Sequence, residues 1–138
     1  MATKNNIILD ASVVIKWFAK EDDSDKAITY LEAFQNNEIG VIIPTLLFYE
    51  LGNVLINKKV TIPMAEDIIY RLKNLHIDLI DAGFKSFQKI YQNAIEFSIT
   101  FYDSAYVTLM KEENCKFITA DKKLYQKIKS HFPLSQLL

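Results

Sequence analysis

The stretch Asn6-Ile7-Ile8-Leu9-Asp10 ends a short apolar run on an aspartate, and small residues then lead into a helical pattern. Such a run, predicted as a strand over about 6–10, suits the interior of a parallel sheet. In an open parallel sheet the carboxyl ends of the strands form the ligand crevice. Asp10 therefore occupies a position that is poor for packing and good for chemistry.

Short apolar runs and longer helical patterns alternate along the rest of the chain. Further strands are predicted at 40–44, 77–80 and 116–119, and the tail over 131–134 is predicted as a last edge strand. Helices are predicted at about 13–19, 24–36, 46–58, 64–74, 84–97 and 100–110, and from about 121. In the helix over 84–97, Phe87 and Tyr91 are expected to face the core with Ile90. This alternation is typical of an α/β domain with a mostly parallel sheet.

The bulk composition is that of an ordinary globular protein. The chain has 138 residues, 50% of them hydrophobic, so a single domain over residues 1–138 is expected. Its formal net charge of -1 gives no whole-protein attraction to phosphate, and nucleic-acid binding therefore needs a local patch. Cys115 is the only cysteine, which excludes an intrachain disulfide and a cysteine-based zinc site. No apolar run is long enough to cross a membrane, so a soluble cytoplasmic protein is expected.

Three further acids lie where a carboxylate is unusual. Glu50 falls inside the apolar stripe of a predicted helix, where a buried charge is costly unless it is paired or bound to a metal. Asp103 heads the apolar face of another helix, and Asp121 follows a predicted strand, as Asp10 does. Each has a structural alternative. Glu50 could lie at the edge of its apolar stripe. Asp103 could complement the helix dipole, and Asp121 could cap a helix. Each of these roles would explain its residue without a shared site.

Taken together, the four acids can converge on one crevice of a doubly wound sheet. Carboxylates gathered at one place repel each other, which raises some of their pKa values or recruits cations. Oxygen-only ligands select hard divalent ions, which favours Mg²⁺ or Mn²⁺. A site of this kind activates water and stabilises the leaving oxygen in phosphodiester hydrolysis. The residues leave open whether one ion or two would bind.

Around these acids the sequence resembles a known family. Four segments look like the four signatures of the PIN domain, in the same order and spacing: Leu9-Asp10-Ala11-Ser12-Val13, Phe48-Tyr49-Glu50-Leu51, Tyr102-Asp103-Ser104-Ala105-Tyr106 and Ile118-Thr119-Ala120-Asp121. By size and pattern the chain is most similar to the VapC-type toxins of prokaryotic toxin–antitoxin pairs, from residue 6 to about residue 133. Ser104 is a mild departure, because the family often has alanine there. The resemblance implies a PIN-like three-layer α/β/α fold with a mostly parallel central sheet of about five strands.

The resemblance also implies a metal-dependent endoribonuclease. The family's catalytic and metal-binding carboxylates match Asp10, Glu50, Asp103 and Asp121. By that analogy Asp10 and Asp103 would hold the principal Mg²⁺ or Mn²⁺ ion, and the other two acids would complete a second site or orient water. Ser12 and Thr119 match catalytic-site positions whose hydroxyls usually support the acids or the water. The implied reaction is attack of water on the phosphate, with no covalent enzyme intermediate.

The same resemblance implies partners. RNA is the expected substrate, although the sequence does not name which RNA is cut. Lys122 and Lys123 follow the last acid and are candidates to contact backbone phosphates, while a solvated helix face explains them equally well. An antitoxin protein commonly masks such toxins, and an amphipathic helix in an apolar groove is one physical mode. Homodimers are expected because these domains often pair.

Two other classes of protein compete with this interpretation. A non-catalytic interaction module would keep the acids as a structural or regulatory ion site, bind a protein partner and cleave nothing. An aspartyl-phosphate enzyme also begins with an acid after a first strand. A haloacid-type phosphatase, however, needs a second aspartate where Ser12 stands, and a receiver domain needs an acidic pair where Asp10 stands alone.

Overall fold

The computed structural model describes residues 5–138, and residues 1–4, which the expected single domain includes, lie outside the described residues. The strands are β1 (Asn5–Leu9), β2 (Ile39–Pro44), β3 (Asp78–Ile80), β4 (Lys116–Thr119) and β5 (Ser135–Leu137). The helices are α1 (Ala11–Val14), α2 (Ser24–Gln35), α3 (Leu46–Asn57), α4 (Ile62–Asn74), α5 (Phe87–Phe97), α6 (Phe101–Glu113) and α7 (Lys122–Ile128), with 3₁₀ turns at Ile15–Trp17 and Phe84–Ser86. Within the described chain, no helix combines the length and the apolar character that crossing a membrane requires.

The strands form one sheet in the order β3-β2-β1-β4-β5, and each described strand pair is parallel. The first strand therefore lies at the centre, where Ile8 pairs with Ile42 on one side and Phe117 on the other. Because all strands run the same way, their carboxyl ends meet at one edge. Asp10 lies in the middle of that edge, and its backbone N–H donates to the carbonyl of Ile118 at 3.3 Å.

Successive side chains of the central strands point to opposite faces of the sheet and pack into two apolar layers, one on each face. On one face Ile7 and Leu9 pack with helices α1 to α4, and on the other Ile8 packs with α6 and α7. Helix α5 packs mainly against α6. These layers confirm the predicted α/β class and the three-layer α/β/α arrangement around a five-stranded parallel sheet.

The last strand begins after the segment for which it was predicted. Over 131–134 the chain turns instead, so that Phe132 packs into the core and its carbonyl accepts from the backbone N–H of Ser135 at 3.0 Å. Pro133 has no N–H to donate to a ladder, which delays regular pairing. The predicted edge strand therefore exists as β5, outside the predicted residues.

The core-facing prediction for the aromatic residues of α5 is wrong. Phe87 is 54% exposed and Tyr91 is 53% exposed, while Ile90 and Asn93 are the buried residues of this helix. Because α5 rests mainly on α6 and not on the sheet, only a narrow face of it is covered. The Phe87 ring lies 6.0 Å from that of Tyr91 and 5.3 Å from that of Phe101, and these aromatics form a surface cluster.

Candidate active site

Carboxylates from four parts of the fold line one cavity at the carboxyl edge of the sheet. Asp10 follows β1, Glu50 lies on α3, Asp103 lies on α6 and Asp121 precedes α7. The cavity has a volume of about 430 Å³ and is called the acid cavity below. Its other lining residues are Ala11, Ser12, Leu46, Tyr49, Asn53, Val54, Tyr102 and Tyr106. The four acids singled out from the sequence are therefore brought together.

Asp10 is the most buried of these acids, with 6% of its surface exposed. Its extended backbone (φ −83°, ψ 173°) makes it the cap of α1, and Oδ1 accepts from the backbone N–H of Ser12 at 2.9 Å. The hydroxyl of Ser12 also donates to Oδ1, and the hydroxyl of the fully buried Thr119 donates to Oδ2. Both carboxylate oxygens of Asp10 are therefore held from inside the protein.

Neighbouring backbone groups fix the direction in which these two hydroxyls donate. The Ser12 hydroxyl oxygen accepts from the N–H of Ala120 at 2.9 Å, and that of Thr119 accepts from the N–H of Asp121 at 3.0 Å. Because a backbone N–H can only donate, each hydroxyl turns its own proton toward Asp10. The two hydroxyls thus stabilise the ionised carboxylate and join the residues after β1 to those after β4.

Glu50 is half-buried at the edge of the apolar stripe of α3, whose buried members include Leu47 and Leu51. A position at the edge of the stripe is the alternative that the sequence left open for Glu50. From this position Glu50 lines the acid cavity. The phenol of Tyr106 donates to its Oε1 at 2.7 Å. Tyr106 is 1% exposed, and its burial beside Glu50 raises the pKa of the phenol, so Tyr106 remains the donor in this pair.

Asp103 and Asp121 both belong to helix starts. Thr100 caps α6 by accepting from the backbone N–H of Asp103 at 3.0 Å, which fixes Asp103 in the first turn. Asp121 caps α7, since its Oδ1 accepts from the N–H of Leu124 at 3.1 Å. The capping role that could explain Asp121 alone is therefore real. Asp121 nevertheless lines the acid cavity at the same time.

Burial raises the pKa of Asp10 from 3.8 to about 6. The hydrogen bonds from Ser12 and Thr119 act in the opposite direction, and the charge of Asp103 adds a smaller increase. Desolvation disfavours the charged form of an acid, and here it outweighs the donors that favour it. The ionised form of Asp10 is therefore costly unless a positive charge stands nearby.

The other carboxylates repel one another across the acid cavity. Burial raises the pKa of Glu50, and the charges of Asp10 and Asp103 raise it further. Burial also raises the pKa of Asp103, with the charge of Asp121 as the next cause. The repulsion thus links Asp10, Glu50 and Asp103, and it extends from Asp121 to Asp103. A cation entering the acid cavity would relieve several repulsions at once.

One lysine acts on this field. The Nζ of Lys127 donates to the carbonyl of Ser98 at 2.7 Å. The charge of Lys127 lowers the pKa of Asp103, while burial and the charge of Asp121 raise it more strongly. Lys122 and Lys123 are exposed in the first turn of α7 and do not line the acid cavity. Their contact with RNA phosphates stays a prediction.

The donor set fits a hard divalent cation in chemical type, because carboxylates and hydroxyls are oxygen ligands. Among residues 5–138, no three His, Cys, Asp or Glu side chains are arranged so that they could hold an ion directly. Mg²⁺ usually keeps several waters and needs only one or two carboxylates plus a substrate phosphate. An ion that kept its waters would need only one or two of the acids that line the acid cavity.

Tyr106 is the site residue that the sequence pattern concealed. It falls on the apolar face of α6 with Val107 and Met110, as a core aromatic does. The available signal was its hydroxyl, because a buried tyrosine needs a hydrogen-bond partner. Its position three residues after Asp103 also puts both side chains on the same side of the helix.

The chain was compared with known proteins. A comparison with curated protein sequences finds no match. Among solved structures, PAE2754 from Pyrobaculum aerophilum is similar with a TM-score of 0.67 at 19% identity, over 88% of this chain and 78% of that one. VapC20 from Mycobacterium tuberculosis, a sarcin-ricin loop cleaving toxin, is similar with a TM-score of 0.67 at 11% identity, over 91% and 95%. At these identities the likeness shows a shared fold.

The sequence over residues 7–129 matches the PIN domain family. The match includes the four acids, and the parallel sheet and its flanking helices agree with it. The family resemblance found in the four short motifs is thereby confirmed. The chain belongs to the PIN domain family, whose members are generally nucleases.

Proposed function

We propose that the chain is a Mg²⁺- or Mn²⁺-dependent endoribonuclease and the VapC-type toxin of a toxin–antitoxin pair. The observation that carries the proposal is the convergence of Asp10, Glu50, Asp103 and Asp121 on one cavity. They come from distant parts of the sequence, and the parallel topology gathers them at one edge of the sheet. Likeness in fold to a toxin that cleaves the sarcin-ricin loop supports RNA as the substrate and the toxin role.

Asp10 and Asp103 hold the principal ion in this proposal. When bound, the ion supplies positive charge at the phosphate and makes water a stronger nucleophile. Ser12 and Thr119 keep the carboxylate of Asp10 in one orientation, since both of its oxygens accept their hydrogen bonds. A carboxylate that is already oriented loses little freedom on binding, which favours catalysis.

Glu50 orients the attacking water and takes up its proton. Its half-buried carboxylate lines the acid cavity, where a positioned base can accept a proton from water. Tyr106 holds Oε1 and thereby limits the directions in which the carboxylate can point. Asp121 is more exposed and completes a second ion site or orients the same water. The water attacks the phosphate directly, and no side chain becomes covalently attached to the RNA.

The proposal includes protein partners. Large apolar side chains stay exposed on two parts of the surface: Ile56, Ile62 and Met64 around α3 and α4, and Phe84, Phe87, Tyr91 and Ile95 around α5. Exposed apolar groups in such numbers are typical of association surfaces. We assign them to an antitoxin and to a second copy of the chain. Light scattering of the purified protein with and without a co-expressed antitoxin tests both assignments.

The deciding experiment is cleavage of a mixed pool of structured RNAs by the purified chain in Mg²⁺, Mn²⁺ or EDTA. We expect cutting in either metal, none in EDTA and none by Asp10→Asn. The matched control is Asp81→Asn, because Asp81 also follows a strand but is exposed and does not line the acid cavity. This control should cut as the wild type does.

Two outcomes would contradict the proposal in different ways. Folded wild-type protein that cuts no RNA in any metal would favour a non-catalytic binding module. Cutting that persists in Asp10→Asn would keep the nuclease and overturn the roles given to the acids. Circular dichroism of each variant establishes that the fold is intact before activities are compared.

A further inference from the structure

Two exposed tyrosines stand at the mouth of the acid cavity. Tyr49 lies on α3 directly before Glu50, and Tyr102 lies on α6 directly before Asp103. Both line the cavity, yet 78% of Tyr49 and 63% of Tyr102 is exposed. Each of the two helices that brings an acid to the cavity thus also brings an aromatic ring that is open to solvent.

Neither ring has a structural role within the part of the chain that the structure describes. Tyr49 and Tyr102 contact no other aromatic ring, and their phenols form no hydrogen bond. Tyr106 differs, because it is buried, stacks on Phe117 and bonds to Glu50. Two large rings left open beside a polar site are available to a ligand.

The charge of the acid cavity decides which part of an RNA these rings would meet. The four carboxylates repel phosphate except where a bound ion offsets their charge, and the whole chain has a formal net charge of -1. Attraction between lysines and the RNA backbone is therefore weak close to the cavity. Stacking of a base on an aromatic face needs no positive charge and tolerates every base. Stacking thus supplies affinity where electrostatics opposes it.

We propose that Tyr49 and Tyr102 are platforms on which unpaired bases beside the scissile phosphate stack. This inference rests on the proposed function and adds two residues that position the substrate. Bases inside a duplex already stack on their neighbours and offer no free face. A volume of about 430 Å³ lies in the range of pockets that hold small ligands, which suits one nucleotide unit better than a duplex.

The test uses a short uridine-rich RNA that carries one 2-aminopurine, a base whose fluorescence falls when it stacks. Binding is measured in the Asp10→Asn background, which keeps the RNA intact, with the additional changes Tyr49→Leu, Tyr102→Leu, Tyr49→Phe and Tyr102→Phe. Leucine removes the aromatic face, whereas phenylalanine retains it. Tyr70→Leu is the matched control, since Tyr70 is an exposed tyrosine that does not line the acid cavity.

We expect each leucine variant to bind the single strand roughly 5- to 150-fold more weakly and to lose part of the fluorescence quenching. The phenylalanine variants and Tyr70→Leu should behave as the parent protein. The slope of log affinity against log salt should stay unchanged, because no phosphate contact is removed. The same RNA annealed to its complement should bind more weakly and show no added quenching.

The inference and the proposed function can fail separately. The leucine variants could bind the RNA and quench the probe as the parent protein does and, with Asp10 restored, cleave with the KM of the wild type. That result would overturn the inference and leave the proposed nuclease intact. Equal binding of duplex and single strand would overturn it too. A wild-type chain that cuts nothing, yet quenches the probe through both tyrosines, would overturn the nuclease and support the platforms. Failure to bind any RNA would overturn both.

Discussion

The acid cavity has an inner half and an outer half that are built differently. In the inner half, Asp10 and Glu50 accept hydrogen bonds from side-chain hydroxyls, and Asp10 is almost fully buried. In the outer half, Asp103 and Asp121 belong to the first turn or the cap of a helix and are more exposed than Asp10. All four are carboxylates, so the difference lies in their surroundings.

The difference separates carboxylates that are held in place from carboxylates that can adjust. A carboxylate held by buried hydroxyls keeps its position whether or not a cation is near. A carboxylate at an exposed helix start can adjust to an ion, a water or a phosphate. In the proposed nuclease, the inner half would therefore set the geometry, and the outer half would adapt to the substrate. Each prediction below separates the two halves by one measurement.

The largest effect is expected when Asp10 and Asp121 are compared. Asp10→Asn should slow cleavage by at least about 1,000-fold, because it removes a fixed charge at which the transition state is stabilised. Asp121→Asn should slow it by about 10- to 100-fold, since a more exposed, adaptable group is replaced more easily. Single-turnover cleavage at saturating Mg²⁺ measures both. Equal losses would show that the two halves are not distinct.

A second prediction concerns stability, because a buried acid with a raised pKa destabilises the fold as it ionises. The unfolded chain loses the Asp10 proton near pH 3.8, and the folded chain keeps it until about pH 6. Between these values the folded state binds more protons, so the free energy of unfolding falls as the pH rises. The full difference corresponds to about 3 kcal/mol.

Thermal unfolding of the metal-free protein at several pH values between about 4 and 7 measures this effect. Wild-type protein should lose more of its unfolding free energy than Asp10→Asn, in which the side chain cannot titrate. Glu50 and Asp103 remain in both proteins, so their contributions largely cancel in the comparison. Parallel curves for the two proteins would contradict the raised pKa of Asp10. Mg²⁺ should stabilise the wild type more than the variant.

A third prediction tests the hydroxyl that holds Glu50. Tyr106→Phe removes one buried donor and should lower kcat about 10-fold, as loss of a supporting hydrogen bond commonly does. Without that bond the pKa of Glu50 should rise, and the acidic limb of the pH–rate profile should move to higher pH. Tyr30→Phe, a change of the same kind outside the acid cavity, is the control. A fall in kcat with an unmoved profile would indicate a structural role only.

The smallest effect is expected from lysines at the outer half. Lys127→Gln should change RNA affinity only a few-fold and leave its salt slope unchanged, because Lys127 bonds to Ser98 and acts through Asp103. Replacement of Lys122 and Lys123 by Gln should reduce the slope by about 0.7 for each lysine that contacts phosphate. Filter binding over a salt series measures the affinity and the salt slope of both variants. An unchanged slope in the double variant would contradict the phosphate contacts.

The four acids and the α/β class could be predicted from sequence because their signals are local. A carboxylate at the end of an apolar run, such as Asp10, or within an apolar stripe, such as Glu50, is unusual for packing alone. The repeated alternation of strands and helices then gives the parallel sheet, and parallel strands gather their ends at one edge. The inference needed only the periodicity of the sequence and no contact between distant residues.

The remaining features depend on contacts between distant residues. The donation from Tyr106 to Glu50 joins side chains 56 positions apart, so the local sequence around Tyr106 does not identify its partner. The exposure of Phe87 and Tyr91 follows from α5 packing on α6, which helical periodicity does not reveal. The strand order, which makes β1 central, is likewise a property of the whole chain. Local pattern therefore identifies candidate residues, and tertiary contacts decide what each one does.

The hydrogen bonds between the loops after β1 and β4 also bear on when activity can arise during synthesis. Asp10 and Thr119 lie 109 positions apart, so the ribosome makes Asp10 roughly 5 to 22 seconds before its partner at about 5–20 residues per second. Until β4 pairs with β1, Asp10 lacks its second hydroxyl donor and Asp121 has not joined the cavity. Under the proposed ribonuclease function, a nascent chain could not cut the RNAs around it before this pairing forms.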